Sequence, residues 1–108
     1  MADGRLPAHL EVGGLIRRVQ QEGGFAMVLA KGEPDAGTIM VVLAHRGEPQ
    51  RAFERVPQAS GERLWTLTRT EDRDQPLVFA EWLERRREQD PDLWIVELDI
   101  PQGERFIS

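Results

Sequence analysis

Apolar positions follow two rhythms along this chain, one helical and one alternating, and the switches between them mark its elements. From Pro7 onward, Ala8, Val12, Leu15, Ile16 and Val19 recur every three or four residues and form one stripe, which predicts a helix over 8–22. Pro7 suits a first helical turn, and Gly23-Gly24 supplies a stop, because glycine takes the left-handed conformation without a Cβ clash. Gly13-Gly14 costs a helix interior about 1 kcal/mol per glycine relative to alanine. That pair therefore predicts either a later helix start or another backbone passing close by. Met1 to Leu6 reads as a frayed lead-in.

Alternation and apolar runs then take over. Phe25 to Lys31 and Thr38 to His45 read as strands, and the second is apolar on both faces, the mark of a central strand covered on both sides. Lys31-Gly32-Glu33-Pro34-Asp35-Ala36-Gly37 between them is dense in turn formers, so the two strands are expected to pair as a hairpin. Arg51 to Pro57 sets Phe53 among charges and reads as a half-exposed strand at the sheet edge. Glu62 to Arg69 alternates Trp65 and Leu67 with threonines. Short connections predict a four-stranded meander.

Pro76 opens a second helix, with Asp72 or Asp74 placed to cap it and Val78, Phe79, Trp82 and Leu83 as its buried stripe. Glu81 and Arg85 have the spacing of a surface ion pair, and Asp90-Pro91-Asp92 ends the helix. A last strand alternates Trp94, Val96, Leu98 and Ile100 with Ile95, Glu97 and Asp99, exposing two acids on one face. Trp65, Trp82 and Trp94 all lie on apolar stripes and are expected to meet in the core. The order α-β-β-β-β-α-β predicts a single α+β domain over 1–108, a mainly antiparallel sheet of about five strands packed by two helices.

Composition narrows the function classes. A chain of 108 residues supports one core. With 19 acidic against 14 basic residues the net charge is −5, a sign that repels phosphate backbones, so no nucleic-acid partner is expected. The run Arg85-Arg86-Arg87 does not change this, because Glu81, Glu84, Glu88 and Asp90 flank it. Without cysteine there are no disulfides, thiolate zinc sites or cysteine nucleophiles. The longest apolar run, Ile39 to Ala44, is far too short to span a bilayer, and nothing near the N-terminus resembles a signal segment. The expectation is a cytoplasmic protein with no membrane partner.

Candidate chemistry is sparse. His9 and His45 are the only histidines and lie in separate elements without metal-ligand spacing. Ser60 sits in a turn that lacks the strand-to-helix elbow of a serine nucleophile. Glu97 and Asp99, about 7 Å apart along a strand, read as a solvated pair. No catalytic residue, metal or cofactor is expected. The most distinctive local feature is the 31–37 loop. Gly32 and Gly37 open its backbone to close approach, Lys31 offers a cation, and Glu33 and Asp35 offer acceptors. Arg17 and Arg18 of the first helix are the groups expected to complete a contact there.

Three stretches carry a likeness beyond composition: Leu15-Ile16-Arg17-Arg18, the run Lys31 to Ile39, and Asp90-Pro91-Asp92-Leu93-Trp94-Ile95-Val96-Glu97. In order and spacing the chain resembles domain-of-unknown-function family 1491, a group of small bacterial proteins. That family's loop looks like Lys-Gly-Asp-Ala-Asp-Ala-Gly, from which Glu33 and Pro34 depart. The resemblance implies a stand-alone domain and brings no mechanism with it. The expectation is a non-enzymatic interaction or accessory protein that binds a protein partner or a second copy of itself. The alternative is a small-molecule binder or enzyme, with its site at Lys31, Gly32, Glu33, Asp35 and Gly37 together with Arg17 and Arg18.

Overall fold

The computed structural model describes residues 6–108, so Met1 to Arg5 of the expected lead-in lie outside it. The first helix, α1, runs Ala8–Gln21, and β1 (Phe25–Ala30), β2 (Ile39–Ala44), β3 (Arg51–Pro57) and β4 (Arg63–Thr70) follow. Then come α2 (Pro76–Gln89), β5 (Trp94–Asp99) and a short 3₁₀ turn over Gly103–Phe106. The α+β class and the order of elements match the sequence pattern. No helix among the described residues is long and apolar enough to cross a membrane.

The five strands form one mixed sheet in the order β1-β5-β2-β3-β4. β5 runs parallel to β2 and antiparallel to β1, with Val96 opposite both Val41 and Val28. The expected β1–β2 hairpin therefore does not form, and the meander is broken with it. β5 is inserted between the two strands. The cause is burial: Trp94, Ile95, Val96 and Leu98 are apolar on both faces and almost fully buried, which only an interior position allows. β2 is central, as its sequence predicts.

β3, the expected edge, lies inside the sheet between β2 and β4. Its charges are matched from other elements. Arg51 reaches Glu104, Glu54 reaches Arg86, and Arg55 reaches Glu11. The true edges are β1 and β4.

Helices cover opposite faces. Ala8, Val12, Leu15 and Val19 of α1 pack with Phe106 and Ile107 onto Ile39, Val41, Leu43, Val96 and Leu98. Phe79, with half-buried Trp82 and Leu83 from α2, packs onto Met40, Val42, Ala52 and Ile95 on the other side. The tryptophans are consequently divided: Trp94 and Trp65 belong to the α1 face and Trp82 to the α2 face.

Several local expectations also change. Gly13 and Gly14 sit inside α1 with no other backbone against them, and the helix starts at Ala8 regardless. Gly23 takes φ +85° just beyond α1, as its terminator role requires. Neither Asp72 nor Asp74 caps α2: its first residue is Pro76, the preceding Gln75 makes no side-chain cap, and Asp72 instead accepts from the Asp74 amide. Among the described residues Glu81 and Arg85 do not pair. Arg87 bonds Glu84 at 3.5 Å, and Arg86 turns inward to Glu54.

Candidate functional site

The 31–37 loop crosses the start of β5 and abuts the N-terminus of α1, and most of its polar groups are committed to holding those elements. Pro7 precedes α1 and provides no side-chain cap, so the first helical amides need acceptors from elsewhere. The loop supplies them. Ala8 N–H donates to the Asp35 carbonyl at 3.0 Å, and His9 donates to the Pro34 carbonyl from both its amide, at 2.8 Å, and its Nδ1, at 2.9 Å. The Glu33 carboxylate accepts from the Asp35 amide at 2.9 Å and from the Ala36 amide, closing the turn. Glu33's carbonyl accepts the Trp94 indole at 2.7 Å, and its amide donates to Asp92 at 3.1 Å.

Gly32 and Gly37 are required by close approach. A Cβ on either would collide with the Asp92 carbonyl oxygen. Lys31 and Asp35 remain exposed. Arg17 and Arg18 lie about 14 Å along α1 from the helix start that the loop touches. Arg18 donates instead to the Phe106 carbonyl at 3.0 Å and stacks over that ring. The structure thus gathers Gly32, Glu33 and Gly37 into one packed turn and does not bring the two arginines to it.

Beside this loop is a cavity of about 230 Å³ between Ala8, Glu11 and Asp35-Ala36-Gly37, closed by Arg55. Arg55 bonds Glu11 through both guanidinium nitrogens, at 2.8 and 2.9 Å, and lies over the Trp65 ring, 4.8 Å from its centroid. This planar, two-bonded pair joins α1 to β3 and neutralises two of the three ionic groups lining the cavity, the third being Asp35. Among the described residues no buried side-chain polar atom lacks a partner. The cavity offers shape and little unsatisfied chemistry.

A different region is left incomplete by the fold. Because α2 packs over β2 and β3, and over Leu29 and Ala30 at the end of β1, the same sheet face is bare only at the start of β1 and at the far end of β5. Phe25 is 76% exposed and Met27 59% exposed on β1. Phe25 lies opposite Asp99, and Met27 opposite Glu97. Glu97 also neighbours Val42, so it stands among apolar side chains. Burial, followed by the charge of Asp99, raises its carboxyl above the ordinary range. His45 approaches Asp99 to 3.5 Å.

Val28, on the opposite face of β1, is 39% exposed, while Ala26 on that same face packs against the α1 cluster. The strand Phe25-Ala26-Met27-Val28-Leu29-Ala30 has no charge and no proline, although a register shift between Val28 and Ala30 interrupts its pairing with β5. Sequence reasoning missed this corner, since an uncharged apolar strand reads as interior. The usable signal was the Glu97-Asp99 pair on an otherwise buried strand.

Other chemistry stays dispersed. No group of three or more potential metal-ligating side chains lies together among the described residues. His9 stands beside Asp35 at 4.0 Å, in a different part of the fold from His45. The Ser60 hydroxyl accepts from the Glu62 amide in its turn.

The fold and its site define a small α/β/α domain with a split strand pair, an internally bonded connecting loop and one open sheet edge. The chain belongs to the DUF1491 family of proteins of unknown function, whose model matches residues 6–108. A crystal structure of a family member from Caulobacter crescentus is 32% identical, covers 96% of each chain and has a TM-score of 0.79. A solution structure from A. tumefaciens is 31% identical over 95% of this chain and 92% of that one, with a TM-score of 0.74. An NMR structure of a family member from Caulobacter crescentus gives 32% identity, 95% and 93% coverage and a TM-score of 0.78. No functionally curated protein matches the chain.

Proposed function

We propose that this chain is a non-enzymatic, cytoplasmic interaction domain of bacteria that takes an extended protein segment onto the open β1 edge. The observation that carries this reading is the exposure of Phe25 and Met27 on an uncharged edge strand beside a half-buried Glu97. Unprotected edges pair readily with another strand, and monomeric proteins usually blunt them with charge or proline. β1 has neither. A segment added there gains main-chain hydrogen bonds along β1, apolar contact with Phe25 and Met27, and acidic groups two strand spacings in.

The test is an NMR titration with a synthetic peptide alternating valine and lysine. The expected result is saturable shift changes confined to residues 25–30 and 97–99. Changes centred on 35–37 and Arg55 would favour the alternative, a small-molecule site in the cavity beside the loop, and would overturn the edge reading. An unresponsive spectrum would overturn it too.

A further inference from the structure

We infer that the segment β1 accepts is basic, with lysine or arginine at the two alternate positions that fall opposite Phe25 and Met27. This inference rests on the edge reading above and names the chemistry of its partner. The regularly paired part of the edge is residues 25–28, before the register shift that precedes Ala30. Within it Phe25 pairs with Asp99 and Met27 with Glu97, so the two exposed apolar side chains and the two carboxylates share one sheet face. Any residue laid opposite Phe25 or Met27 joins that face, whichever direction the added strand runs, and a carboxylate stands next along its row. The gap to that carboxylate is two strand spacings, roughly 10 Å. A long basic side chain suits it: the stem lies along Met27 or the Phe25 ring, and the charged head continues to the acid beyond.

The charges of this corner select a cation over the alternatives. Glu97 is half-buried between Met27 and Val42, and among the described residues no basic side chain pairs with it. The charge that bears on it is that of Asp99, which has the same sign, and His45 approaches Asp99 instead. A neutral segment would bury Glu97 further without answering its charge, and an acidic one would add another negative group. A basic residue opposite Met27 answers it where water is partly excluded, so salt screens the pair less than it would on open surface. The residue between the two cations turns to the other face, beside Ala26 and Val28, and is apolar to match them.

Three end-blocked synthetic peptides of equal length test this by NMR titration of the full chain at fixed ionic strength: valine alternating with lysine, with threonine, and with glutamate. The lysine peptide is expected to bind about tenfold more tightly than the threonine peptide, and the glutamate peptide most weakly, with shift changes at 25–30 and 97–99. Glu97→Gln, which removes a half-buried charge and keeps the fold, is expected to reduce the lysine preference to about threefold. Adding Asp99→Asn to it is expected to leave the lysine and threonine peptides equal. That doubly changed chain is still net negative, so a general attraction for cationic peptides would survive in it. Equal binding of the lysine and threonine peptides to the parent chain overturns the basic partner and leaves the edge reading standing. A preference that persists undiminished in the doubly changed chain overturns the pairing with Glu97 and Asp99. Failure of all three peptides to bind overturns both readings.

Discussion

Replacing Glu33 by alanine separates a structural loop from one reserved for a ligand. The carboxylate accepts two backbone amides, from Asp35 and Ala36, and through that turn it holds the carbonyls that receive the first amides of α1. A hydrogen bond to a charged group contributes about 1.5–3 kcal/mol when protected from water. Solvent reaches this turn and re-solvates freed amides, which lowers the figure to about 1 kcal/mol each. Glu33→Ala is thus expected to cost about 2 kcal/mol, a fall in melting temperature of roughly 8 °C for a domain of this size. Glu33→Gln keeps a neutral acceptor at the same place and should cost about half as much.

Lys31→Ala and Asp35→Ala serve as controls. Both side chains are exposed, and the loop uses Asp35 through its carbonyl, so each change should stay within about 0.5 kcal/mol. Urea denaturation of the four variants, with the m-value checked for constancy, gives the comparison directly. If Glu33→Ala proved no more costly than Lys31→Ala, the carboxylate would not be holding the turn, and the loop would be free for another role.

Three further outcomes follow from packing and charge. Phe79→Ala removes the one buried side chain of α2 and should cost about 3–5 kcal/mol by urea titration, whereas Leu77→Ala, 74% exposed two residues earlier, should be near neutral. Arg86 holds the Glu54 carboxyl below its ordinary value of 4.5 through hydrogen bonds of 2.7 and 2.8 Å. That stabilisation is present above 4.5 and is lost as pH falls through the lowered folded value. Arg86→Met should therefore flatten the acid limb of the stability curve and cost about 1–2 kcal/mol at neutral pH. Glu97 has the opposite sign: its raised carboxyl penalises the folded state once ionised. Glu97→Gln should accordingly be more stable than the parent at neutral pH, with the gap closing as pH drops from the raised value to 4.5.

What could be read from residues alone depended on whether a residue's partners were close in the chain. The α1 stripe, its glycine stop and the double-faced apolar run of β2 are local signals, and all three appear in the fold. The hairpin expectation failed because chain proximity is only one claim on a pairing position. β5 arrives some fifty residues later with two apolar faces, and it gains more burial beside β2 than β1 would. β3 looked like an edge because Arg51, Glu54 and Arg55 are charged, yet each charge is met by a residue 32 or more positions away. The loop's glycines and acids are a local signal that sets it apart in the sequence. Its role as a cap for α1 and a seat for Trp94 depends on contacts across 25 to 61 residues that no local pattern contains.

Residue-resolved amide exchange offers the most direct check of an interior β5 flanked by an open β1. Amides of β2 and β5 should be protected throughout, while β1 should show alternating slow and fast amides, as an edge strand does. Uniform protection of β1 in dilute solution, or rapid exchange along β5, would contradict the account.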